Sequence, residues 1–368
     1  MKLSKQVSIL KPSIVNRLNI GSSSLFLISF LIALIGVCLS MWGASWDITS
    51  HLLRTPETFF TPSHGILYLG VGVSSASAIL GSIVIFTRKD VRRRSFIFGS
   101  KLIIAGSIIQ IIAGPGDFFW HELFGIDGLL SPTHITLAIG IMTVSIGATI
   151  GFTRIYFERK RKGKFIETII PISFGVFWFS VMWLIFFFIL PISEGETHNF
   201  NPNPYVALVL AVVLLPFSFS IVFWLSSKIS NKFGFATISA IVFLTMNITS
   251  NIFTSEKIIF YTPWFAAPIV ATITADYVIN NKELFEFFKN RKNIISGAIL
   301  GSMFFMFSFP MIAMTFLEFY VHNNVFSYDV IPFSSKTISH IWALTTVPGA
   351  ICGMIGMIFA DKKLSKFV

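Results

Sequence analysis

Asp47 and His51 stand four residues apart, and His64 follows after a further twelve. Seventy positions on, the pattern recurs without change as Asp117, His121 and His134. The residues between them correspond as well: Glu57 with Asp127, Phe60 with Leu130, Thr61 with Ser131 and Pro62 with Pro132. Residues four apart on a helix share one face. Asp47 with His51, and Asp117 with His121, therefore offer a carboxylate and an imidazole to one point. Twelve residues let the chain turn, and the proline then sets His64 or His134 in the first turn of the next helix. Two imidazoles and one carboxylate suit Cu(II), Zn(II) or Fe(II), and leave positions open for water or a substrate. Glu57, Asp127 and Glu122 are candidates to hold an imidazole N–H from outside the ligand set. The plainer alternative is that Asp and His only cap helix ends at an interface. Two triads of equal spacing weigh against it.

The elements that must position these groups are membrane helices. The chain of 368 residues is 54% hydrophobic, carries 42 Phe and is only 12% charged, and its mean hydropathy is +0.77. A soluble domain of that balance would expose apolar surface, so lipid is the expected solvent. A spanning helix needs roughly 20 apolar residues. Ten such runs lie near 23–43, 64–87, 95–115, 134–153, 168–192, 204–227, 235–252, 258–280, 294–318 and 339–360. The expected fold is all-α, a polytopic bundle of about ten helices built from repeated helical hairpins. Residues 1–22 read as a basic cytoplasmic lead, 23–153 as duplicated metal-binding hairpins, and 154–368 as a further six-helix membrane region. The first run is too long for a cleaved signal and has no small-residue cleavage site, so it reads as a retained helix. In this reading the first helix ends near Trp42 and Trp46, and the third at Gly114-Pro115-Gly116, just before the triads.

The net charge of +11 does not point to nucleic acid, because its placement is periodic. With Lys101, clusters at 2–17, 88–94, 154–164, 228–232, 282–292 and 362–366 hold 25 of the 28 Lys and Arg. These are both termini and alternate connections. The positive-inside rule then predicts a cell-membrane protein with cytoplasmic termini and triads near the extracytoplasmic face. All seven His fall on that outer side. Cys38 and Cys352 lie inside apolar runs and read as buried thiols, with no disulfide framework.

Fainter echoes of the hairpin follow. Glu194 and His198 are four apart, as are Asn247 and Asn251, and Thr262-Pro263-Trp264-Phe265 stands where Thr-Pro-Ser-His would. Glu318, His322 and His340 form a weaker third set of metal candidates, with a different final spacing. Six Met cluster in the last hairpin at 303, 306, 311, 314, 354 and 357. Thioethers favour Cu(I), but helix packing is the preferred reading. Gly297/Gly301 and Gly349/Gly353 are small-xxx-small pairs that allow close helix approach. Asp276 reads as an interfacial anchor rather than a proton relay.

The triads resemble those of a metal-binding membrane subunit of the copper membrane monooxygenases, the particulate enzymes that oxidise methane and ammonia. That family's motif is Asp-x3-His-x12-His with Thr-Pro-Ser-His around the last ligand. Here it reads Asp47, His51 and then Phe60-Thr61-Pro62-Ser63-His64. The family's second triad begins with Asn, where this chain has Asp117. The likeness covers roughly residues 23–153. It implies copper at both triads, partner oxygenase subunits, and O2-dependent oxidation of a small uncharged substrate. Residues 154–368 lie outside the likeness, and the added carboxylate bears on which metal or oxidation state is held. A copper or zinc storage or transport protein, and a non-catalytic accessory member of an oxygenase complex, stand as alternatives. No His lies along a path to the cytoplasmic side, which weighs against transport.

Overall fold

The computed structural model describes residues 21–52, 60–91, 95–124, 130–158, 163–190, 202, 204–253, 256–281, 291–308 and 335–366. These form α1 Ser22–Leu52, α2 Pro62–Thr87, α3 Ile97–Phe124, α4 Pro132–Glu158, α5 Lys164–Ile189, α6 Pro204–Ser230, α7 Phe235–Ile252, α8 Ala266–Asn280, α9 Lys292–Ser302, α10 Phe304–Phe307 and α11 Ser335–Phe359. The protein is an all-α polytopic helical bundle, with no strand among the described residues. Among the described residues, eight helices are long and apolar enough to cross a membrane. Of the other two apolar runs, the one near 258–280 is described whole and the one near 294–318 only through residue 308. A 3₁₀ segment, Glu256–Phe265, contains Pro263 and leads into the 15-residue α8, and the described part of the later run holds α9 and α10. A helix of 15 residues is about 22 Å long, short of the roughly 30 Å hydrocarbon core.

Two boundaries differ from the sequence reading. Helix α1 continues past Trp42 and Trp46 through Leu52, and α3 continues through Pro115 to Phe124. Asp47, His51, Asp117 and His121 are therefore helical residues, not loop residues. Proline removes one backbone donor, and a long helix packed on neighbours absorbs that loss. The 31-residue α1 is about 46 Å long, so its last turns extend beyond an apolar core of roughly 30 Å. The polar groups they carry thus come at the end of the apolar span.

Glycine seams set how the hairpins close. A methyl group on Gly36 of α1 would meet the carbonyl oxygen of Gly70 of α2 at 2.9 Å, and one on Gly70 would meet that of Gly36 at 2.6 Å. In the α3–α4 hairpin Gly106 and Gly140 face each other in the same way, at 2.6 and 3.0 Å. These positions are seventy apart, the offset of the triads. A further layer keeps the register. Ser29 and Ser77 hydrogen-bond across the first hairpin (Ser77 Oγ to Ser29 O, 2.7 Å), and Gly99 and Gly147 touch at the equivalent place in the second. The sequence repeat is thus a repeat of helix register. The Gly297/Gly301 and Gly349/Gly353 pairs also meet, closing α9 on α11.

The first two hairpins pack together through α1 on α4 and α2 on α3. Helix α5 joins them to the rest, touching α1, α4, α6 and α7. Its buried Trp178 stacks on Phe243 (5.2 Å between ring centres) and on Phe307 (5.6 Å), with Phe219 edge-on. This knot ties α5, α6, α7 and α10. Met306 and Met357 are buried in the same core, in line with a packing role. At the end of the bundle opposite the Asp–His groups, carboxylates satisfy helix starts. Glu158 accepts from the N–H and hydroxyl of Ser95, just before α3. The buried Asp276 accepts from the N–H groups of Gly234 and Thr237, from Thr237 Oγ1 (2.7 Å) and from Asn280 Nδ2 (2.6 Å). It anchors the first turn of α7, where Gly234 takes the left-handed φ of +92°, a conformation that suits glycine.

Because Gly70 is closed upon by α1, Gly70→Leu is expected to lower stability by about 1–3 kcal/mol through overpacking. Thermal unfolding in detergent measures it, and an unchanged midpoint contradicts the seam.

Candidate functional site

The site lies where α1 and α3 end and α2 and α4 begin. Pro62 and Pro132 occupy the first position of α2 and α4, where the missing N–H costs nothing and φ is already helical. The residue before each proline starts the helix the same way: Thr61 O accepts from Gly65 N at 3.0 Å, and Ser131 O from Ile135 N at 3.0 Å. This start puts residues 63 and 64, and 133 and 134, in the first turn, facing the end of the preceding helix.

Across each hairpin mouth the carboxylate meets the imidazole. His64 Nε2 lies 2.9 Å from Asp47 Oδ1, and His134 Nε2 lies 3.3 Å from Asp117 Oδ1. The same carboxylate oxygen also accepts a hydroxyl from the residue before each His: Ser63 Oγ donates to Asp47 Oδ1 at 2.9 Å, and Thr133 Oγ1 donates to Asp117 Oδ1 at 2.6 Å. Sequence reasoning named Ser63 only as part of a motif and missed Thr133. The signal was available, since both positions hold hydroxyls at the seventy-residue offset.

The copies differ in detail. Thr61 Oγ1 lies 3.1 Å from His64 Nδ1 and so orients the ring. Its counterpart Ser131 instead accepts the backbone N–H of His134 at 3.2 Å, a conventional N-cap. His64 stacks on Tyr68 of α2, and His134 on Phe187 of α5. The Asp47 and His64 side chains are 16% and 22% exposed, against 34% and 27% for Asp117 and His134. The first pair is thus the drier, and there the electrostatic attraction is less screened.

Of each triad, the Asp and the final His come together. The backbones of His51 and His121 continue α1 and α3 one turn beyond Asp47 and Asp117, while their side chains lie outside the described residues, as do Glu57, Asp127, Glu194, His198, Glu318 and His322. Glu122 is exposed on α3, and His340 is exposed on α11. Among the described residues, no three or more His, Cys, Asp or Glu converge as a metal-holding group.

Asn251 was read as a faint echo of a ligand position. It instead joins α7 to α1 beside the first site: Thr49 Oγ1 donates to its Oδ1, and its Nδ2 lies 3.4 Å from Ser45 Oγ. Ser45 and Thr49 flank Asp47. Trp42 Nε1 adds a bond to Thr249 at 3.1 Å. The later helices thus brace the end of α1 that carries the carboxylate.

No family model matches the chain, and no curated protein or solved structure matches it.

Ser63→Ala and Thr133→Val each remove one donor to a carboxylate. Each is expected to cost roughly 1 kcal/mol, read by denaturation in detergent. Equal stability of both variants with the parent protein would show that the hydroxyls are idle.

Proposed function

We propose that the protein is an integral membrane metalloprotein with two Asp/His/His copper sites, similar to the metal-binding membrane component of the methane and ammonia monooxygenases. Asp47, His51 and His64 hold one ion, and Asp117, His121 and His134 the other, both near the extracytoplasmic face. The observation that carries this reading is the recurrence of the Asp–His contact at equal positions of two hairpins.

The donor set fits a divalent ion. Two ligands each 2.0–2.2 Å from one ion, at angles between square and tetrahedral, are about 2.8–3.6 Å apart. The two N···O separations fall in that span. Proton bookkeeping agrees. When His64 Nδ1 carries the proton and donates to Thr61, the Nε2 lone pair faces a carboxylate oxygen. Such a facing pair needs a cation between its members. In the other tautomer, Nε2 donates to Asp47 and the contact is a plain hydrogen bond.

Copper held there would supply the redox couple needed to activate O2 for attack on a small uncharged substrate. The remaining work falls to the chain. Asp47 and Asp117 supply negative charge that offsets a divalent ion. Ser63 and Thr133 fix the carboxylates through Oδ1. Thr61 sets the His64 ring, and Tyr68 and Phe187 limit rotation of the imidazoles by stacking. The apolar outer faces of α2 and α3, where Leu69, Ile108, Ile111 and Ile112 are exposed, let an uncharged substrate approach through lipid.

Purified protein loaded with copper should hold about two ions per chain, with imidazole nitrogen in the Cu(II) electron paramagnetic resonance signal. His64→Ala with His134→Ala should abolish most of both. Unchanged stoichiometry in that double variant refutes the assignment. With metal binding in hand, O2-dependent product from ammonia, methane or a short hydrocarbon tests the enzyme reading.

A further inference from the structure

We propose that bound water satisfies the sealed polar atoms of the seams between α1, α2, α3 and α4, two helical turns beneath the Asp–His pairs, with Gln110 as its main anchor. This inference does not rest on metal at the pairs.

The anchor is a buried amide. Gln110 of α3 is 1% exposed, and neither its Oε1 nor its Nε2 has a partner among the described residues. A glutamine amide carries two donor hydrogens and an acceptor oxygen with two lone pairs. The fold makes room for it: the Gln110 Cγ lies over Gly140, 2.8 Å from where a methyl group there would sit. The first hairpin places Ser40 against Gly70 at the equivalent position. Ser40 and Gln110 each lie seven residues before their Asp, hence on its face of the helix and roughly 10 Å below it.

Ser40 Oγ and Ser74 Oγ, both fully buried, likewise have no partner among the described residues. Other hydroxyls of α2 behave differently. Ser75, Ser82 and Thr87 each donate to the carbonyl four residues back. Ser74 lies in the same helix and does not; it turns into the seam against Gly36. Ser107 Oγ donates to Ser74 O at 3.2 Å, crossing from α3 to α2. Ser107 is one turn from Gln110. This bond joins the helix that carries Ser74 to the helix that carries Gln110. Inside a bundle in lipid, an amide left with both its donor and its acceptor unmet is costly. A small neutral molecule that both donates and accepts is the chemistry that satisfies them, and water is that molecule. Waters here put a polar medium two helical turns beneath the two carboxylates.

Hydroxyl-radical footprinting of the full-length protein by water radiolysis in air tests this with the ligand itself. Val144 of α4, fully buried, lies one turn from Gly140 and beside Gly106. A bound water generates the radical within contact distance, the radical takes a side-chain hydrogen, and dissolved O2 supplies the oxygen that stays; Val144, scaled to its rate in unfolded protein, is therefore expected to oxidise on the order of tenfold faster than Phe179, fully buried in the α5 core and scaled likewise. Gln110→Leu should remove most of that labelling. Where Gln110→Leu fails to assemble, Ser74→Ala, a smaller change, should lower it at least by half. Labelling of Val144 as slow as that of Phe179, or unaffected by these variants, overturns the proposal. Fast Val144 oxidation in protein that binds no copper would overturn the metal reading alone.

Discussion

The geometry at the hairpin mouth depends on a contact far below it. Gly36 lies back to back with Gly70, and Gly106 with Gly140. Each crossing is eleven residues before an Asp and six residues after a His. With no side chain between them, two helix backbones can lock in only one register, because a shift of one residue drives a Cβ into a carbonyl. That lock delivers Asp47 opposite His64 and Asp117 opposite His134. In a membrane such close packing is a main source of helix association, since lipid offers no hydrophobic force between helices.

Around this constraint the two ends of the bundle solve opposite problems. At the site end, prolines start α2 and α4, and hydroxyl groups tether the carboxylates, so the helices open onto charged groups. At the other end, Glu158 and Asp276 reach across to neighbouring helix starts and satisfy their N–H groups. A carboxylate buried at a helix start is stabilised by both the free N–H groups and the helix dipole. Asp276 is thus a structural anchor, which explains a charge at full burial without a transport role.

The later helices, for which the sequence offered no task, brace the first two hairpins. Asn251 holds the α1 turn that carries Asp47, and Phe187 covers His134. The aromatic knot around Trp178 makes the base on which this support stands. The apparent echo of the triads in Asn247 and Asn251 is hydrogen bonding between helices: Asn247 Nδ2 donates to Phe307 O at 3.1 Å. Amide side chains suit that task in lipid, where a backbone carbonyl otherwise has few donors to meet.

The sequence by itself determined the helical, membrane character and the equivalence of the two hairpins, because apolar run length and a fixed seventy-residue offset are local properties. It also picked out Asp47, His64, Asp117 and His134, since i, i+4 spacing and a proline before the next helix constrain neighbours along one chain. It misplaced the ends of α1 and α3, where polar residues and Pro115 look like loop but tertiary packing carries the helix on. Only the tertiary structure decided that Ser63 and Thr133 clamp the carboxylates, that Phe187 of a later helix stacks on His134, and that Gln110 is sealed inside. Those facts depend on helix rotation and crossing, which glycine seams between segments set and which no spacing within a single segment encodes.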